Sequence, residues 1–82
     1  MDKAVYILVN VKPGKEDEIL QEILNVESVI EAWRIYGAYD VLIKIKNEGE
    51  DTLWKAIEEI RHIQDIESTL TLYPISGFEK KS

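Results

Sequence analysis

Residues 4–11, Ala-Val-Tyr-Ile-Leu-Val-Asn-Val, set Val5, Ile7, Val9 and Val11 against Tyr6, Leu8 and Asn10. Both sets are largely apolar, which predicts a strand covered on two faces. Pro13-Gly14 breaks it. The period then changes: Ile19, Leu20, Ile23, Leu24 and Val26 recur at helical spacing over 16–26. Glu16, Asp17 and Glu18 fill the first turn, where acids complement the helix dipole. A strand rich in branched and aromatic residues follows at 29–36, and Gly37 marks a turn. Residues 41–46 alternate strictly, with Val41, Ile43 and Ile45 on one face. After a loop at Asn47-Glu48-Gly49, Leu53, Ile57, Ile60 and Ile63 form one helical stripe over 51–64. Residues 67–75 predict a closing strand in which Leu70 and Leu72 alternate with Thr69, Thr71 and Tyr73. Pro74 caps that strand or places it at an edge.

The order is β-α-β-β-α-β, and its halves repeat. Asn25-Val26-Glu27-Ser28 is echoed by Asp65-Ile66-Glu67-Ser68, each joining a helix to the next strand. Val5, Ile7 and Val9 correspond likewise to Val41, Ile43 and Ile45, and the second half carries about one extra helical turn. Two split βαβ units give a ferredoxin-like fold of the α+β class: a four-stranded antiparallel sheet with both helices on one face. The helices are expected to cover Val5/Ile7/Val9, Val41/Ile43/Ile45 and Leu70/Leu72. The opposite face then presents Tyr6, Leu8, Leu42, Thr69, Thr71 and Tyr73, with a bulge near Gly37 deciding where Trp33 points. So apolar a sheet face calls for a second chain packed on it, as in dimeric α/β-barrel proteins.

Composition narrows the function. The 82 residues allow one domain, 1–76, with a polar flexible tail at 77–82. A chain of this size gains from association. With no cysteine, neither a disulfide framework nor a thiolate metal site is available. No signal sequence or membrane-length run is seen, so a cytoplasmic protein is expected. The net charge is −6 with its basic residues scattered, and phosphate-tracking proteins carry a basic stripe. Direct nucleic-acid binding is not expected.

The candidate chemistry centres on residues 36–43, Tyr-Gly-Ala-Tyr-Asp-Val-Leu-Ile. Asp40 is an acid at the mouth of an apolar strand and needs a local partner, a backbone cap or a ligand. Ser68, Thr69 and Thr71, at the start of the last strand, offer hydroxyls nearby. Turn N–H groups suit a carboxylate and an aspartate suits an ammonium, so the set fits the zwitterionic head of a free amino acid. The alternative is an Asp capping its turn and threonines chosen for β-propensity. Arg34 is a candidate ion-pair partner for Asp40. His62 is the single histidine, placed to favour a helix C-terminus. Trp33 and Trp54 read as packing anchors at subunit contacts. Lys12-Pro13-Gly14-Lys15 lacks the pattern of a phosphate loop.

Three segments carry a resemblance in order along the chain: Ala4 to Gly14, Arg34-Ile35-Tyr36-Gly37-Ala38-Tyr39-Asp40, and Ser68-Thr69-Leu70-Thr71-Leu72. Over residues 3–75 the chain resembles the effector-binding (RAM) domain of Lrp/AsnC transcription regulators. The middle segment resembles that family's Gly-x-x-Asp hairpin, the last its Thr-x-Thr strand. The resemblance implies sheet-to-sheet dimers assembling into octamers or similar rings, with amino-acid effectors bound between dimers. It points to Gly37, Ala38, Tyr39 and Asp40, with Thr69 and Thr71, as ligand-binding residues. It also implies transcription regulation without a cofactor or metal. Two departures are visible: no helix-turn-helix precedes Met1, so a stand-alone form is expected, and Ala38 replaces a polar residue common in that loop.

The leading expectation is therefore a non-enzymatic, oligomeric amino-acid sensor. Two readings compete with it. One is a structural partner that co-assembles with full-length regulators. The other is a small dimeric α/β-barrel enzyme, which shares the topology but ordinarily needs a polar or cofactor-binding cleft.

Overall fold

The central strand organises the sheet. β1 (Val5–Val11) buries Val5, Ile7, Val9 and Val11, all against the helical layer. It pairs antiparallel with β3 (Val41–Ile45) on one side and β4 (Ile66–Leu72) on the other. β2 (Val29–Arg34) pairs antiparallel with β3, giving the order β2-β3-β1-β4. The computed structural model describes residues 4–80; the outermost positions of the two segments expected from sequence, 1–3 and 81–82, lie outside it. The ferredoxin-like order βαββαβ is the one expected.

Two helices complete the core. α1 (Glu16–Leu24) contributes Ile19 and Ile23, and α2 (Glu50–Arg61) contributes Leu53, Ala56, Ile57 and Ile60. These close on Val41, Ile43 and Ile45 and the β1 valines and isoleucine, in one continuous cluster. α2 has 12 residues and α1 has 9, close to the extra turn expected. Its start needs Gly49 at φ +115°, a backbone angle that side-chain-bearing residues avoid. The elements end sooner than the hydrophobic pattern: α2 stops at Arg61 and β4 at Leu72. The echo of Asn25 in Asp65 holds for sequence and not for backbone. Asn25 stays right-handed at φ −79°, whereas Asp65 turns left-handed at φ +73° and offers its carbonyl to the Lys12 N–H at 2.8 Å.

The facing of β4 is corrected by the structure. Tyr6 pairs with Leu72 and Leu8 with Leu70, so both leucines share the open face with Tyr6, Leu8 and Leu42. Thr69 and Thr71 lie opposite Val9 and Ile7, half-buried on the helical side. The cause is a register shift at Asn10/Val11, where Asn10 pairs with Ser68 but Val11 with Ile66. One extra residue reverses every side chain beyond it, so Ile66 packs on the core while Leu70 and Leu72 face away. A second shift lies in β2 between Val29 and Glu31, rather than near Gly37, and puts Trp33 opposite Leu42 on the open face. That face is therefore more apolar than the pattern suggested. Trp33 is 59% exposed there and Leu70 and Leu72 each 42%.

Truncating Ile43, which has no exposed surface, should lower the unfolding free energy by about 2–5 kcal/mol in urea titration. The same change at Leu24, 56% exposed on α1, should cost no more than about 0.5 kcal/mol.

Candidate functional site

The hairpin between β2 and β3 is closed by the Ile35 N–H donating to the Asp40 carbonyl at 2.9 Å, which leaves residues 36–39 as the connection. Asp40 then joins the sheet through its own N–H, which donates to the Val9 carbonyl at 2.9 Å. Extending the β1–β3 register by one residue sets Asp40 opposite Asn10, and Asn10 is in turn opposite Ser68. Asp40, Asn10 and Ser68 thus form a polar row across β3, β1 and β4, next to the row of Trp33, Leu42, Leu8 and Leu70.

Each member of the row has a physical reason to be there. The N–H of Val11 points to the side where β3 has already ended. Asp40 Oδ2 accepts it at 2.9 Å, so a side chain stands in for the missing strand carbonyl. The hydrogen bonds available to Asn10 fix its amide orientation. Its Nδ2 donates to Asp40 Oδ2 and to the Ala38 carbonyl, both at 3.2 Å, and its Oδ1 accepts from Ser68 Oγ at 3.3 Å. Asp40 is half-buried, and two donors converge on one of its oxygens. Asp40 is thus a cap of the sheet, whatever else it does.

The other residues singled out from sequence divide clearly. Gly37, Ala38 and Tyr39 lie with Asp40 in the connection, where Gly37 and Ala38 are exposed and Tyr39 half-buried. Among the described residues the N–H groups of 36–39 meet no protein acceptor. Thr69 and Thr71 are two strands from Asp40, across β1, and on the helical side rather than beside the Asn10–Ser68 row. Arg34 does not pair with Asp40. It reaches Asp17 of α1, Nη1 to Oδ1, at 3.4 Å. His62 caps α2, its Nδ1 lying 2.7 Å from the Glu58 carbonyl. Trp54 is exposed on α2. Lys12 to Lys15 form a turn, the Lys15 N–H donating to the Lys12 carbonyl at 3.1 Å.

Sequence reasoning left Asn10 out, although its signal was present. It is the polar break in the alternation Tyr6, Leu8, Asn10 on the open face. Elsewhere, a cleft of about 550 Å³ lies at the opposite end of the strands, lined by Glu27, Ser28, Glu48, Asp51 and Lys55 among others. Among the described residues no group of His, Asp and Glu is arranged to hold a metal ion. Nor is any helix there long and apolar enough to cross a membrane.

Residues 4–80 match the family model of the Lrp/AsnC ligand binding domain. This chain belongs to that family. It is 30% identical over 67 residues to the HTH-type transcriptional regulator FL11 of Pyrococcus abyssi, an alignment covering 82% of this chain and 44% of the regulator. It thus spans less than half of the curated regulators it matches. A separate alignment, over 53 residues or 65% of this chain, is 36% identical to a segment amounting to 11% of the homocitrate synthase of Sulfolobus acidocaldarius. The crystal structure of hypothetical protein PHS023 from Pyrococcus horikoshii superposes with a TM-score of 0.81 at 32% identity. That match covers 94% of this chain and 93% of the other.

Removing the Asp40 carboxylate with alanine leaves the Val11 N–H without an acceptor and should cost about 1–3 kcal/mol of stability. Asp40→Asn keeps an oxygen in place and should cost clearly less. Chemical denaturation of the two variants side by side checks the ordering.

Proposed function

We propose that this protein is an amino-acid-binding regulatory module that works as an oligomer of sheet-packed chains and catalyses no reaction. The observation that carries this is the hairpin at 36–40. Among the described residues it sets a carboxylate, held by Val11 and Asn10 through one oxygen, beside backbone N–H groups that meet no protein acceptor. Acceptor and donors side by side suit the ammonium and carboxylate of a zwitterion. Family membership supports a small-molecule effector and an oligomeric assembly. The matches to a transcriptional regulator and to a small part of an enzyme fit a sensing unit joined to different outputs. Thr69 and Thr71, on the other side of the sheet, would serve such a ligand only from a neighbouring chain or at the rim of an inter-subunit site.

The open face supports the assembly. Tyr6, Leu8, Trp33, Leu42, Leu70 and Leu72 share it, and a standard dimer interface buries roughly 1,600 Å² in total. We read this face as the contact with a second copy, with further association into an octamer or similar ring. Leu8→Lys or Leu42→Lys places an unpaired charge in that contact and should dissociate the dimer or unfold it. Light scattering at micromolar concentration reads the result. A wild-type mass near that of one 9.5 kDa chain would overturn the oligomeric reading.

A second reading is favoured by one observation: Asp40 already has donors within its own chain. Under it the site is a sheet cap, and the chain is a structural partner of full-length Lrp/AsnC regulators. Calorimetry of wild type and Asp40→Asn against the twenty amino acids separates the two. The sensor reading expects Asp40→Asn to lose about 1.5–3 kcal/mol of binding, the scale of a charge-assisted hydrogen bond. If the wild type binds none of them below about millimolar, the structural-partner reading takes its place.

A further inference from the structure

We propose that Asn10 is a positioning residue of this site. It locks the 36–39 connection to Asp40 so that Asp40 Oδ1 takes the ammonium of the ligand and the turn N–H groups take its carboxylate. The assignment rests on the amino-acid reading above and adds to it the direction in which the ligand lies and the residue that fixes that direction.

Three observations carry the inference. First, Asn10 makes its hydrogen bonds to three different segments: Asp40 at the start of β3, Ala38 in the connection and Ser68 in β4. Only a primary amide offers two donors and an acceptor together at this position. Serine would supply one donor, and aspartate would supply none and set a like charge beside Asp40. Second, the Val11 N–H and the Asn10 amide both fall on Oδ2, and Oδ1 has no partner among the described residues. A carboxylate fixed through one oxygen presents the other in a set direction. Third, no lysine or arginine among the described residues pairs with Asp40, since Arg34 is taken by Asp17. Oδ1 is thereby left open to a cation from outside the chain. The neighbouring N–H groups of 36–39 take a carboxylate and not a second cation, which makes the ligand a zwitterion rather than a simple amine.

The partner that Asn10 finds in β4 is itself set by the register shift at Asn10/Val11. Without the extra residue in β4, Ser68 would face the helical side and the Asn10 Oδ1 would lose its donor. The bulge is thus what joins the last strand to the hairpin on the open face.

The test uses the full chain, labelled with ¹⁵N, as wild type, Asn10→Ala and Asn10→Ser, the serine variant guarding against loss of folding. The ligand-free arm reads order parameters and amide exchange at 36–40. Both variants should loosen this segment while the core amides of Ile7 and Ile43 keep their protection. The binding arm titrates L-methionine and L-leucine, each against the des-amino acid of the same skeleton, which keeps the carboxylate and lacks the ammonium. Wild type should prefer the amino acid by about tenfold or more, the scale of one charge-assisted hydrogen bond, and Asn10→Ala should lose most of that preference. Equal weakening of both members of a pair would overturn the positioning role, as would a connection that stays as ordered in both variants as in the wild type. A wild type that binds neither these pairs nor any other of the twenty amino acids overturns the ligand assignment along with the amino-acid reading. The ligand-free arm then decides separately whether Asn10 holds the hairpin.

Discussion

A central strand needs hydrogen-bond partners along both edges, and β3 stops before β1 does. That shortfall governs the hairpin end of the molecule. Val11 is buried and its N–H cannot be left to water, so an acceptor must come from the residue where β3 begins. A carboxylate there brings a charge to the sheet margin, and the charge in turn needs donors that hold it. The Asn10 amide supplies one beside the Val11 N–H, and is itself held by donating to the Ala38 carbonyl and accepting from the Ser68 hydroxyl. The polar row is thus the way this sheet ends, and any recognition of a ligand is built on a requirement of folding.

The layers that the row borders follow from simpler rules. Residues of one parity in β1 and β3 meet two amphipathic helices and are sealed. Residues of the other parity, Tyr6, Leu8 and Leu42, are left half-buried on the face that the helices do not cover. The helices are fixed by aliphatic stripes, with acids clustered at their starts. Few of the ion pairs near them weigh much: Arg34–Asp17, Lys15–Glu18 and Arg61–Glu58 are all solvent-exposed. Burial of branched aliphatic side chains holds the fold together, and the charges serve to keep the outer surface polar.

Order, element types and helical stripes were readable from periodicity because a buried parity repeats over several residues. The facing of β4 was not, since the alternation of Leu70 and Leu72 is equally regular on either side of a sheet. What reverses it is a single unpaired residue, visible only once Val11 is seen to pair with Ile66 and Asn10 with Ser68. Trp33 was indeterminate for the same reason, and its own shift occurs at the opposite end of β2. Asp40 was legible as an anomaly because acids are scarce at strand mouths. Its particular partner was not, because a backbone N–H carries no signature in sequence. Arg34 illustrates the reverse error: closeness along the chain suggested Asp40, but β2 turns its side chain toward α1.

The polar row and the apolar strip lie side by side, one pleat apart, and Asn10 is a neighbour of Leu8 on the same surface. Whatever occupies Asp40 therefore sits at the margin of any contact made through the strip. Thermodynamic reciprocity ties such adjacent events together: if a bound ligand changes the affinity of one chain for another, association changes the affinity for ligand by the same factor. A domain built this way would report two concentrations at once, that of the small molecule and that of its own chain.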